Sequence, residues 1–210
     1  AKEGTLVDAS FVKVPKQRNK RVDNADIKKG AIPLEFGKNK NKLSQKDCDA
    51  RWVTKYKTKE FGYKDHVSVD QKTKVITSYT VTASSTHDSQ AIKELINEDD
   101  TILYADSAYK SQEIEDYLKE NNVKSKIINR AYRNKALTNN QHKLNHKHSK
   151  TRVRVEHIFG TLKTSLNNGL SLKSIGFERI KSITGLLNLT YNLLRYEQLV
   201  RLKNIPIMKS

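Results

Sequence analysis

Three acidic residues stand where acids are uncommon, and together they have the chemistry of a divalent-metal site. Asp8 lies inside the alternating segment Thr5–Val14 (TLVDASFVKV), flanked by Val7 and Ala9, a strand position that disfavours Asp. Asp106 follows the apolar run Thr101–Ala105 (TILYA), at the carboxyl end of a buried strand, where open α/β sheets place ligands. Glu156 is the first acid after 35 residues, Asn121 to Val155, that hold ten Lys/Arg and three His but no Asp or Glu. In the helical segment TRVRVEHIFGTLK, at about 100° per residue, Val155, Phe159, Leu162 and Leu166 form an apolar stripe with Ile158 on its far side. Glu156 borders that stripe, and Arg152 and Lys163 lie within about 40° of it. Each acid also has a plainer reading. Asp8 would be a surface residue at a sheet edge, Asp106 a turn or cap residue, and Arg152–Glu156 an i,i+4 surface pair worth about 0.3–0.5 kcal/mol. Taken together, a strand Asp, a strand-end Asp and a helix Glu converging on one sheet edge would suit Mg²⁺, with Mn²⁺ as the alternative. Two such ions about 4 Å apart stabilise the attacking and leaving oxygens of a phosphoryl displacement.

The charge of the chain names the substrate class. Its 210 residues carry 40 Lys+Arg against 23 Asp+Glu, a formal +17, which calls for a polyanionic partner. The basic residues concentrate in the acid-free run and in Gly37–Lys59 (GKNKNKLSQKDCDARWVTKYKTK), two candidate phosphate-binding surfaces. Within them Arg130, Arg133 and Trp52 are candidates for DNA contact, Trp52 as an aromatic among cations suited to stacking on bases. Cys48 is the single cysteine, so no internal disulfide forms and a reducing cytosol is expected. No apolar run approaches the roughly 18–20 residues of a membrane span. An integral membrane protein and a disulfide-stapled scaffold are excluded.

The elements that must position these residues follow from periodicity. Strands are expected at Thr5–Val14, Phe61–Asp70, Lys74–Ala83, Thr101–Ala105 and Lys126–Asn129. Helices are expected at Ser89–Asn97 with Asp88 as N-cap, at Ser111–Asn121, at Thr151–Leu166, and as a long packing helix at about 177–202. The order gives an α/β fold with a mixed five-stranded sheet, three antiparallel strands followed by parallel ones, flanked by helices. Basic loops are expected at about 36–60 and 130–150, and the whole of 1–210 reads as one domain.

These residues resemble the catalytic part of bacterial insertion-sequence transposases of the IS5 type, within the IS4-like DDE group. The matching motifs are TLVDAS, FGYKDHVSVD, STHDSQ, LYADSAYKS, RNKALTNNQ and RVRVEHIFGTLK. The last resembles the signature Y-x2-R-x3-E-x6-K, with Arg152, Glu156 and Lys163 on R, E and K, and Ser149 in place of the tyrosine. The resemblance implies a ribonuclease H-like fold and a Mg²⁺-dependent DNA transposase and endonuclease. Asp8, Asp106 and Glu156 would be its catalytic metal-binding triad, and Arg152 and Lys163 its phosphate contacts near the transposon end. It implies double-stranded DNA as partner, both transposon ends and target, a homo-oligomer on DNA, no membrane, and a cytoplasmic, nucleoid-associated location in a bacterium. An N-terminal end-binding region usual in the family is expected to be absent. The alternative function is a catalytically silent DNA-binding remnant of a truncated transposase.

Overall fold

The computed structural model describes residues 4–55, 57–133, 136–166 and 170–202. Strand β1 (Thr5–Lys13) leads into three short helices, α1 (Arg21–Lys28), α2 (Leu34–Gly37) and α3 (Lys40–Ser44). Strands β2 (Arg51–Lys55), β3 (Thr58–Asp70) and β4 (Ile76–Ala83) follow, then a 3₁₀ turn at Asp88–Ala91 running into α4 (Ile92–Leu95). Next come β5 (Ile102–Tyr104), a 3₁₀ turn at Ser107–Tyr109, α5 (Gln112–Glu120) and β6 (Lys124–Ser125). Two long helices complete the chain: α6 (Asn139–Thr161), continued by a π turn at Leu162–Leu166, and α7 (Phe177–Arg201).

The sheet is mixed and six-stranded, one strand more than the periodicity predicts. β1 is its centre, antiparallel to β3 and parallel to β5, and β5 is parallel to β6. β3 is long enough to hold two partners on its outer side, β2 against its first residues and β4 against the rest. The change of partner falls at Gly62, where a Cβ would stand 2.0 Å from the Val12 carbonyl oxygen. No other residue type fits that approach.

Alternation along β1 sends Leu6 and Val12 to one face and Val7 to the other. Leu6 meets Val67, Tyr104, Val155, Ile158, Phe159 and Tyr191, the side covered by α6 and α7. Val7 meets Ile92, Leu95, Leu103, Ile114 and Leu118, the side covered by α4 and α5. The result is a three-layered α/β architecture consistent with a ribonuclease H-like fold. Buried Asp47 fastens the start of α7 to the sheet, accepting from the Tyr63 hydroxyl (2.6 Å) and the Gly176 amide (2.9 Å).

Several sequence expectations change in detail. The fifth predicted strand, Lys126–Asn129, shrinks to a two-residue pairing just before it, at Lys124–Ser125. The basic stretch 36–60 is structured, holding α3, β2 and the start of β3. His87, not Asp88, caps the turn that leads to α4, because its ring nitrogen accepts from the Ser89 amide while Asp88 pairs with Lys64. The expected loop 130–150 is helical from Asn139, started by a capping box in which Thr138 and Gln141 satisfy each other's amides. That helix converts the charge run into an exposed stripe, Lys143, Lys147, Lys150 and Arg154, at i, i+4, i+7 and i+11.

Candidate active site

Parallel pairing of β1 with β5 sets Leu6 opposite Tyr104. Two residues further along each segment stand Asp8 and Asp106, in step at the carboxyl end of the short central strand β5 and on the face that α6 covers. Asp106 ends the extended run: its side chain accepts from the Ser107 amide at 2.6 Å and caps the 3₁₀ turn. It is therefore both a cap residue and a neighbour of Asp8.

Helix α6 brings the third acid. Val155, Ile158 and Phe159 are buried against the sheet, so their flank carries Arg152 and Glu156 over β1. Arg152 Nη1 donates to Asp8 Oδ2 at 2.9 Å, and its Nη2 donates to Glu156 Oε1 at 3.2 Å. The i,i+4 pair expected at a surface is thus half of a three-residue chain that reaches into the sheet. Burial pushes the Asp8 carboxyl above its ordinary value; the Ala9 amide and the Arg152 guanidinium pull it down, and the charges of Asp106 and Glu156 push it up again. That influence of both other acids on Asp8 is the electrostatic signature of their grouping. Among the described residues no three His, Cys, Asp or Glu side chains close around a metal ion as they stand. Arg152 occupies the position between Asp8 and Glu156. The donor set fits a hard divalent ion: carboxylate oxygens from the middle of β1, from just past the end of β5 and from a helix, two of them already bridged by a cationic side chain.

One neighbour escaped sequence reasoning. Tyr109 is buried, its hydroxyl has no hydrogen-bond partner among the described residues, and its pKa is raised by burial and by the charges of Asp88, Asp8 and Asp106. The only signal was its place three residues after Asp106 in LYADSAYKS. Asp88 of STHDSQ reaches the same area and is held by Lys64 Nζ at 2.8 Å, which also donates to the Thr86 carbonyl.

The other candidates are not gathered here. Lys163 is exposed on the π turn after α6, and Arg130 and Arg133 are exposed between β6 and α6. Trp52 is 43% exposed on β2 and tilts against Phe61, its cross-strand partner, at 5.1 Å. Phe61 lies six residues along β3 from Val67, the partner of Asp8, which separates Trp52 from the acids by about 20 Å along the sheet. Asn134 and Lys135 of the motif RNKALTNNQ, and the Leu166 side chain of the apolar stripe, lie outside the described residues.

Residues 1–193 match the transposase DDE domain family. The chain belongs to that DDE transposase family. It is also 32% identical, over 163 residues and 75% of its length, to the transposase for insertion sequence element IS1106 of Neisseria meningitidis serogroup B. That alignment takes in 52% of the relative, so the chain spans about half the length of the curated protein it matches. No solved structure matches. DDE transposase domains generally use divalent metal ions, in keeping with the donor set around Asp8. No helix among the described residues is long and apolar enough to cross a membrane.

Proposed function

We propose that this chain is a single DDE catalytic domain that cuts DNA at transposon ends and joins the freed 3′-hydroxyl to target DNA. The observation that carries the reading is the convergence of Asp8 and Asp106, in register on parallel segments, with Glu156 tied to Asp8 through Arg152. Asp8, Asp106 and Glu156 would hold Mg²⁺, or Mn²⁺ in its place. When bound, such ions activate a water or 3′-hydroxyl nucleophile and neutralise the leaving oxygen.

The protein's own groups supply the rest. The short strand β5 and its 3₁₀ turn fix Asp106 beside Asp8, and the buried face of α6 fixes the height of Glu156 above them. The exposed stripe Lys143–Lys147–Lys150–Arg154 lies on the other side of the same helix from Arg152 and Glu156, a separate basic surface for DNA backbone. Arg152 and Lys163 would contact phosphate at the scissile end, with Arg130, Arg133 and Trp52 reaching DNA further out. Buried Tyr109, just after Asp106, packs with Val7 and Leu103 in the core on the α4 and α5 side of the sheet and so anchors the turn that carries Asp106. The protein would act as a homo-oligomer on paired ends of an IS5-type element in the bacterial nucleoid.

Supercoiled plasmid nicking tests the reading. Glu156→Gln should abolish Mg²⁺-dependent strand cleavage and leave salt-sensitive duplex binding in place. Cleavage that survives this change removes Glu156 from the mechanism, and duplex binding without nicking by the unaltered chain would identify a silent DNA-binding remnant.

A further inference from the structure

The cation that joins Asp8 to Glu156 in this structure is a side chain. Arg152 divides its two outer nitrogens between carboxylates that lie 144 residues apart and four residues apart in sequence. Arg152 and Asp8 are 18% and 19% exposed, whereas Glu156 is 55% exposed. The Arg152 Nε is buried and has no hydrogen-bond partner among the described residues. A guanidinium so placed has both outer nitrogens committed to acids and its Nε donor unused.

We propose that Arg152 is a resident counter-ion that holds the place of a divalent cation between Asp8 and Glu156, and that it yields this place by moving to a DNA phosphate. The proposal rests on the reading of Asp8 and Glu156 as metal ligands. Its logic is charge balance. Asp8 is largely buried and its positive partner in this structure is Arg152, at 2.9 Å, so a divalent ion bound to Asp8 would take over that place. A guanidinium displaced from carboxylates needs another anion with two oxygens spaced to accept its fork, and a phosphate is the one this basic surface attracts. Cation binding and phosphate capture are therefore two halves of one exchange, and each strengthens the other by the same factor. The moving parts are side chains only. Val155, Ile158 and Phe159 hold the α6 backbone down, and the exposed Glu156 turns without loss of packing. The exchange keeps the carboxylates occupied by Arg152 until DNA arrives, so that hydrolytic chemistry is not armed in its absence.

Mn²⁺ binding, followed by water-proton relaxation without DNA, tests this. Arg152→Gln should bind Mn²⁺ about tenfold more tightly than the unaltered chain and gain less from added duplex. Equal or weaker Mn²⁺ binding by Arg152→Gln, with the duplex effect undiminished, overturns the exchange. Asp8→Asn separates this failure from that of the underlying reading: Mn²⁺ binding should be lost, and if it is retained at full strength Asp8 is no ligand. A second measurement uses the unaltered chain and so does not depend on the variant folding. The Arg152 Nη resonances, set by Asp8 and Glu156 in the free chain, should move to new positions when Mg²⁺ and duplex are added together and return when the duplex is removed. Resonances that keep their free-chain positions at saturation refute the proposal.

Discussion

Asp8 and Asp65 lie on neighbouring antiparallel strands, on the same face of the sheet, one pairing step apart: Asp8 opposite Val67, and Ser10 opposite Asp65. Burial raises the pKa of both, yet their partners differ in kind. Asp8 sits under α6, at an edge open enough for Glu156 to be half in water, and Arg152 compensates it. Asp65 sits under α7 with no exposure at all, and its one described partner is the Asn188 amide, donating to Oδ1 at 3.3 Å. Burial pushes Asp65 up to about 7. Its Oδ2 and the Asn188 Oδ1 have no other partners among the described residues, so a proton on Asp65 supplies a donor where only acceptors stand. The contrast teaches that burial alone does not decide what a carboxylate is paired with. A guanidinium stands opposite Asp8, whereas α7 offers Asp65 only amides and hydroxyls, and burial there favours the protonated acid.

The sharpest way to break this comparison is to neutralise each acid in turn. Asp8→Asn should lower strand cleavage by about 10⁴-fold or more, whereas Asp65→Asn should leave it within about threefold, measured as nicking rate. Equal losses would mean that Asp65 belongs to the site. Stability separates them next. The folded value of Asp65, about 7, lies above its ordinary 3.8, so the folded state binds the extra proton between those values and stability falls as pH rises across that window. Asp65→Asn removes the fall and should be more stable than the unaltered chain at pH 8, by on the order of 2–4 kcal/mol in urea titration.

The adjacent His66, buried on the opposite face against Thr82, is lowered by burial from 6.5 to about 4 and has the reverse sign: its contribution is lost as pH falls from 6.5 toward 4. The two slopes oppose each other, so the unaltered chain should be nearly flat between about pH 4 and 6.5. Asp65→Asn should expose a stability that climbs with pH, and His66→Gln one that declines; a flat profile in both variants would refute the buried titrations. The smallest effect concerns the amide. Asn188→Ala should cost about 1–2 kcal/mol and raise the Asp65 pKa further, read by carboxyl NMR, because the bond from Asn188 favours the charged form.

Much of the site was legible because its residues break local rules. An Asp amid β-formers, an Asp after TILYA and a lone acid beyond 35 acid-free residues stand out wherever the chain folds. The predicted helix at Thr151–Leu166 and the long one ending near 202 followed from periodicity and hold closely in α6 and α7. The sheet was less legible. β2 lies in a polar stretch with little alternation and exists because β3 offers it an edge beyond Gly62. The N-terminal half of α6 reads as loop, since Lys, Asn and His carry no apolar period; its capping box and the packing of its other half extend the helix.

Residue types and spacing by themselves determined the α/β class and singled out three unusually placed acids and a strongly basic chain, since alternation, charge and motif spacing are properties of the chain read in order. Only the tertiary structure decided which acids share an environment. That Arg152 bridges Asp8 to Glu156 and that Asp65 has only the Asn188 amide as its described partner both depend on strand register and on which helix covers which strand. Contacts across 144 residues of sequence follow from the burial of apolar faces on both sides of the sheet, which no local pattern records.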